Sequence, residues 1–268
     1  MKKRRLIPVL LLQNGWLVQS KGFCRYQNLG NPTTAVKRLS QWAADEVIYL
    51  DISKDNDYDM RRDDMGHPNR SSFLEIIKDV SEVAFMPLCV GGRIRTIADI
   101  EMRLSLGADK ITLNTKALED TPFVTQAAKE FGSQCIVISI DVKETKRGYR
   151  VFAQGGTQET SYTPEAWARE VSRCGAGEIF LNSIDRDGAQ VGYDLALIER
   201  VARAVAIPVI ACGGAGEFAH FGDVLEQTAA DAVAAANIFH YRDQSVYLAK
   251  KYLYERGLPV RPPELLSV

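Results

Sequence analysis

Eight short apolar runs recur along the chain, at 6–12, 47–52, 87–90, 111–114, 135–141, 179–183, 209–211 and 232–236, the alanine-rich last being the weakest. They are continuously apolar rather than alternating, as expected of parallel strands buried on both faces. The first, within LIPVLLLQNGW (6–16), reads as a buried strand running into a turn. Between the runs, apolar residues fall at helical spacing. Ile97, Ile100 and Leu104 form one stripe, and Leu195, Ile198, Val201 and Val205 form another. Asn31-Pro32, Thr121-Pro122 and Thr163-Pro164 each place a capping side chain before a proline at the first helical position. Ser72 followed by Glu75 predicts a capping box.

Eight strand–helix pairs in 268 residues predict a single α/β domain spanning 1–268, a (β/α)₈ TIM barrel, with an open doubly wound sheet as the alternative. An internal repeat favours closure. Gly91-Gly92 is followed 17 residues on by Ala108-Asp109, and Gly213-Gly214 is followed 17 residues on by Ala230-Asp231. The segment from Glu46 to Leu50 answers that from Glu178 to Asn182 at an offset of 132, whereas the glycine pairs are offset by 122. Two half-barrels account for this, with the first carrying extra residues in an insertion at about 53–70. That loop is dense in charge: Asp55, Asp57, Asp59, Arg61, Arg62, Asp63 and Asp64. It is either a solvated insertion or a segment that contacts substrate.

Charge and composition narrow the function. With 33 basic and 34 acidic residues, overall basicity cannot drive nucleic-acid binding. The cysteines, Cys24, Cys89, Cys135, Cys174 and Cys212, are odd in number and scattered, suggesting reduced thiols in a cytoplasmic protein without a disulfide framework. His67, His220 and His240 lack metal-ligand spacing, so no metal or cofactor is expected. Trp16, Trp42 and Trp167 read as packing residues. The opening MKKRRLIPVLLLQNG imitates a secretion signal, but Pro8 interrupts its short apolar run and no small-x-small cleavage pattern follows. No run is long enough to predict a membrane span.

Functional groups of such barrels sit where strands end and the following loops begin. Those positions hold Asp51, Gly91-Gly92, Asn114-Thr115, Asp141, Asn182-Ser183, Gly213-Gly214 and Asn237. Two symmetric Gly-Gly pairs predict two phosphate cradles, since glycine lets backbone N–H groups approach an anion closely. A ligand with a phosphate at each end fits that symmetry.

VGGRIRTIADIEMRLSLGADKITLNT, ISIDVK, EIFLNSIDRDGAQVGYD and IACGGAGEFAHF resemble the cyclase subunit of imidazole glycerol phosphate synthase, from about Arg4 to Gly257. The resemblance implies a barrel of histidine biosynthesis that takes ammonia from a glutaminase partner in a heterodimer. It adds that ammonia to a ribonucleotide carrying two phosphates, then cleaves the adduct and closes the imidazole ring. It also implies a substrate- and phosphate-binding set of Gly91, Gly92, Asn114, Thr115, Asn182, Asp187, Gly188, Gly213, Gly214, Ala236 and Asn237.

Two carboxylates, ending the first and fifth strands, act as acid and base in the resembled family. The second is Asp141; the first falls on Leu11, which has no proton to exchange. A lysine expected near one phosphate falls on Gln19, with Lys21 as a substitute, and a third glycine expected after Gly91-Gly92 is Arg93. The hydroxyl residues expected after the sixth and seventh strands are Asn182 and Cys212. At the opposite end, Arg5, Glu46, Lys110 and Glu178 precede the first, second, fourth and sixth strands. Taken alone these are four strand-end charges; the resemblance makes them an ammonia gate and makes Asp109 a partner-docking residue. Three readings follow. The chain is a synthase subunit whose missing acid is supplied by a neighbour such as Asp51 or Lys21. Or it is a divergent paralogue giving ammonia to another acceptor, such as a sugar amidinated for a surface polysaccharide (the setting of O-antigen and lipopolysaccharide synthesis). Or it is a non-catalytic activator of the glutaminase.

Overall fold

All eight runs become parallel strands of one closed ring in a computed structural model that describes residues 3–54, 58, 60, 61, 66 and 69–266. The strands are β1 (Arg5–Gln13), β2 (Val47–Asp51), β3 (Leu88–Gly91), β4 (Lys110–Leu113), β5 (Ile136–Thr145), β6 (Glu178–Ser183), β7 (Val209–Cys212) and β8 (Ala232–Ala235). Each pairs with the next, β8 pairs with β1, and the ring has no free edge. The fold is therefore a (β/α)₈ barrel, and the alanine-rich 232–236 run supplies a full staple of it.

The continuous apolar character of the runs is explained by two cores. Ile7, Val9, Ile48, Cys89, Val137, Phe180, Ile210, Ala232 and Ala234 fill the barrel interior. Their neighbours one step along each strand, such as Leu6, Leu10, Val47, Tyr49, Ile138 and Leu181, pack outward against the helices. Trp16, Trp42 and Trp167 are all buried in packing roles.

Helix starts differ in detail from the sequence expectation. Asn31 and Thr163 cap their helices, and Ser72 accepts from the Glu75 amide. Thr121 does not cap: it is already the first helical residue, after Asp120. The Ser72 box is also displaced, because the Glu75 carboxylate accepts from Ser71 N at 2.9 Å. A fully formed box is at Thr96, whose partner is Asp99.

A finer repeat than the half-barrel is visible at the N-terminal ends of the strands. Asp45, Asp109 and Asp231 each stand beside the start of an even-numbered strand and clasp the strand before it. Their carboxylates accept from Leu6 N (2.8 Å), Leu88 N (2.8 Å) and Val209 N (3.2 Å), while their own amides donate back to the same residues' carbonyls. Gly177 holds the fourth such place through its amide alone, to Ile136 O at 2.9 Å. A Cβ there would lie 2.1 Å from Ser133 O, so no aspartate fits.

Two additions sit on the opposite, C-terminal face. Strands Trp16–Lys21 and Arg25–Gly30 form a hairpin that extends β1 antiparallel, and β5 continues into a ribbon with Gly148–Ala153. Of the charged loop after β2, Asp55, Asp57, Asp59, Arg62, Asp63 and Asp64 lie outside the described residues, as does His67. The flanks of that loop are tied to the turn after β1. Asn14 N donates to Ser53 Oγ at 2.7 Å, and Asn69 Nδ2 donates to Asn14 O at 3.1 Å. Among the described residues no helix is long and apolar enough to cross a membrane.

Candidate active site

Strand alternation aims Val137, Ser139 and Asp141 of β5 inward, and the carboxylate at the top of this series is held on both sides. Asn114, just past β4, donates through Nδ2 to Asp141 Oδ2 at 3.0 Å. Asn182 of β6 donates through Nδ2 to Oδ1 at 2.9 Å, and the Ser139 hydroxyl donates to the same oxygen at 3.2 Å. Asp141 is only 6 % exposed. Burial pushes its carboxyl up from 3.8 to about 6, against the pull of the Asn182, Ser139 and Asn114 hydrogen bonds and with a push from Asp187. A carboxyl raised to about 6 exchanges its proton much closer to neutrality than a free aspartate, a property that suits acid–base chemistry. The two asparagines, placed by their strand ends among the substrate-binding candidates, thus spend their amides on orienting Asp141.

Leu11 lies on β1, four strands from β5 in a ring of eight and so on the opposite wall. It packs with Leu50, Cys212 and Ala236 on the interior core. Asp51 does not replace the missing acid. It alternates with Leu50 and points away from the interior, where it accepts from Ser53 N at 2.9 Å and Tyr58 OH at 3.0 Å. Lys21 does not replace it either, standing exposed on the hairpin. Asp187 is held over the pocket by that hairpin: its Oδ2 accepts from Ser20 Oγ at 2.6 Å and Phe23 N at 3.2 Å. Burial raises its carboxyl too, and those hydrogen bonds oppose the rise.

The glycine pairs are required by backbone crowding before any ligand is considered. A Cβ on Gly92 would meet Asp51 O at 2.1 Å and one on Gly214 would meet Gly192 O at 2.1 Å, while both residues adopt positive φ. Arg93 follows with φ 56°. The candidate cradles form two groups: Gly91, Gly92, Asn114 and Thr115 on β3–β4, and Gly213, Gly214, Ala236 and Asn237 on β7–β8. The Thr115 hydroxyl already accepts from Gln154 N at 3.0 Å, and Asn237 is bonded to the hairpin through Ser20 O at 2.7 Å. Gly188 also abuts the hairpin, its hypothetical Cβ 2.6 Å from Ser20 O. Gln19 bonds Gln27 and Tyr241, each at 2.8 Å. Among the described residues no cluster of His, Cys, Asp and Glu could hold a metal.

At the N-terminal end the four charges close into a ring. Lys110 Nζ reaches Glu46 Oε2 and Glu178 Oε2, each at 2.9 Å. Arg5 reaches Glu46 Oε2 at 2.5 Å and bonds Glu178 through both terminal guanidinium nitrogens, Nη1 and Nη2. Both carboxylates are buried, and the two cations are about one-fifth exposed. Burial alone would lower the Lys110 ammonium, but Glu46 and Glu178 reverse the sign and hold it above the usual lysine range. The ring residues are on the same inward faces as the interior core, so Glu178, Phe180 and Asn182 run from the ring to Asp141 along one strand. Asp109 is exposed beside this end, with one carboxylate oxygen committed to its strand clasp. The clasp was missed in the sequence, although Ala44-Asp45, Ala108-Asp109 and Ala230-Asp231 repeat the same dipeptide before β2, β4 and β8.

The family model "Histidine biosynthesis protein" matches residues 5–245 of this barrel. Three curated relatives carry the name imidazole glycerol phosphate synthase subunit HisF. The protein of Anoxybacillus flavithermus is 41 % identical over 260 residues, covering 96 % of this chain and 99 % of its own. That of Clostridium botulinum is 40 % identical, covering 96 % and 98 %, and that of Geobacillus thermodenitrificans is 42 % identical, covering 96 % and 99 %. The chain belongs to the HisF family of imidazole glycerol phosphate synthase subunits.

Proposed function

We propose that this barrel receives ammonia from a glutaminase subunit docked at its N-terminal face and adds it to a phosphate-bearing substrate at its C-terminal face. Asp141 handles the protons of that addition. The observation carrying this reading is the alignment of the gate ring, the interior and Asp141 on the inward faces of the same strands. The interior between them is lined by Ile7, Val9, Ile48, Val137, Phe180 and Ile210. Neutral ammonia crosses such a lining at little cost, whereas ammonium would have to shed its hydration. Asp109 lies on the docking face.

Ring closure in the histidine pathway is proposed to be slow, because Leu11 faces the pocket where the resembled family uses a carboxylate and Asp51 is turned away. The purified barrel, supplied with ammonium salt and the histidine-pathway ribonucleotide, is expected to turn over at least about 10²-fold more slowly than a HisF subunit with an acid at that position. An equal rate would overturn this point. The same observation favours a second reading, in which the nitrogen goes to another phosphorylated acceptor, including a sugar. A glutaminase-activating scaffold alone would not need the triple clasp on Asp141.

The gate has its own test. Lys110→Ala or Glu178→Ala is expected to depress glutamine-dependent turnover of the paired enzyme while ammonium-driven turnover persists. Assaying both nitrogen sources side by side decides it: equal loss of both, or of neither, would leave the four charges as structural ion pairs.

A further inference from the structure

The described parts of the insertion after β2 are fastened to the rim of the barrel. Tyr58 OH donates to Asp51 Oδ2 at 3.0 Å and Ser53 N donates to Oδ1 at 2.9 Å, so the root of the insertion engages both oxygens of this buried carboxylate. Burial and the Asp51 charge push the Tyr58 phenol up, so it stays protonated and keeps donating. Asn14 N donates to Ser53 Oγ at 2.7 Å, and the buried Asn69 donates to Asn14 O at 3.1 Å. Gly15 follows at φ 85° with no room for a side chain: a Cβ would lie 2.7 Å from Tyr58 Cδ1 and 2.4 Å from Asn69 Nδ2. A solvated insertion needs none of these contacts. Ser53, Tyr58 and Asn69 instead grip the Asn14-Gly15 turn after β1.

This grip falls where two parts of the pocket meet. Asp51 is aligned with Leu12 across the β1–β2 pair, one step above the aligned Leu11 and Leu50. Its carbonyl oxygen stands 2.1 Å from where a Gly92 Cβ would be, so its backbone abuts the first glycine cradle. Arg103, buried on the helix Ile97–Ser105, ties Gly92 to the start of that helix by donating to Gly92 O at 3.1 Å and Asp99 O at 2.9 Å. Contacts therefore run without a break from Tyr58 through Asp51 to Gly92. The half-barrel mate of Asp51, at the offset of 132, is Ser183, which has no carboxylate to hold such a latch. The latch belongs to the first half, which also carries Leu11 and Arg93 where the resembled family has an acid and a glycine.

We propose that Tyr58 is a positioning residue for acceptor specificity. Latched to Asp51, it holds the root of the insertion as a fixed wall beside the first cradle, and that wall selects the substrate end lodged there. The inference rests on the reading that the C-terminal face takes a phosphorylated substrate. It deepens that reading by placing the selective contact on the β1–β3 side, away from the β5 wall that carries Asp141. A wall fixed before binding spares the ligand the cost of ordering it. Loss of the phenol hydroxyl therefore weakens binding at this end and leaves the proton chemistry of Asp141 alone.

The test compares wild type with Tyr58→Phe, which removes the hydroxyl alone, and with a matched control. The control is Tyr149→Phe, which deletes a phenol–carboxylate bond of the same kind, to Asp194 at 2.8 Å, on the β5 ribbon. Trypsin is expected to cut Tyr58→Phe within the insertion, after Lys54, Arg61 or Arg62, about tenfold faster than the other two proteins, the scale of a lost hydrogen bond to a charged group. In calorimetric titration with the histidine-pathway ribonucleotide, Tyr58→Phe is expected to bind at least about fivefold more weakly and Tyr149→Phe within about twofold of wild type. The proposal is overturned if Tyr58→Phe is cut or binds like wild type, or if Tyr149→Phe shows the same losses. A wild type that does not bind the ribonucleotide refutes it together with the phosphorylated-substrate reading, whereas binding that ignores the latch refutes it alone. Because no turnover is measured, these outcomes are separate from those that judge ammonia transfer.

Discussion

Leu11→Asp is expected to raise ammonium-driven turnover of the histidine-pathway ribonucleotide by about 10²–10⁴, the usual contribution of a positioned acid–base group. The position faces the pocket opposite Asp141 and packs on Leu50 at the upper edge of the interior core. A carboxylate placed there is partly desolvated and stands in the same pocket as Asp141, and both effects raise its pKa toward neutrality. The substitution therefore supplies a group that exchanges protons at working pH. It also places a polar group against Leu50 and Cys212, with a stability cost of about 1–3 kcal/mol. Leu11→Asn is the control, since it is polar, close in size to Asp and unable to exchange a proton. Single-turnover rates for the three proteins decide the matter. If Leu11→Asp folds and binds the ribonucleotide without accelerating it, the missing carboxylate is not what limits ring closure.

The barrel was legible in the sequence because its strands are buried on both faces, which writes each as an uninterrupted apolar run. The hairpin and the β5 ribbon were not, for the complementary reason. Arg25–Gly30 reads RYQNLG and is largely exposed, so neither apolar continuity nor alternation marks it. Nor could periodicity separate a capping threonine from a first helical residue at Thr121, since either precedes a proline equally well.

At the site, residue types and strand ends were legible but partnerships were not. Asn114 and Asn182 were identified by their places at strand ends, yet spacing cannot say that both amides converge on one carboxylate 27 and 41 residues away. The same holds for the ring at the other end. Four charges preceding four strands are compatible with four solvated side chains, and only ring closure brings Glu46 and Glu178 each between Arg5 and Lys110. Asp51 illustrates the opposite error. It occupies a strand end like Asp141, but one residue out of phase with the inward face, so a suitable residue type points the wrong way.

Asp141→Asn is expected to lower turnover by about 10²–10⁴ or more, whichever acceptor the enzyme uses, while leaving phosphate-ester binding within a few-fold of wild type. The same substitution also removes a stability signature that follows from the burial of this carboxyl. Folding raises this carboxyl from 3.8 to about 6. Between those values the folded protein keeps a proton that the unfolded chain has released, so stability is fully present below the lower value and is lost as pH rises through the upper one. The shift corresponds to about 3 kcal/mol, of which about 2 kcal/mol is lost between about pH 4.5 and pH 7. Asparagine does not titrate, so the variant's stability relative to wild type should climb by that amount across the window, whatever hydrogen bonds it loses to Asn114 and Asn182. Urea unfolding of both proteins at the two pH values measures the difference, and the wild-type turnover profile should show a limb near pH 6. A flat stability difference would mean that Asp141 titrates at its ordinary value, and unchanged turnover would mean that another group moves the proton.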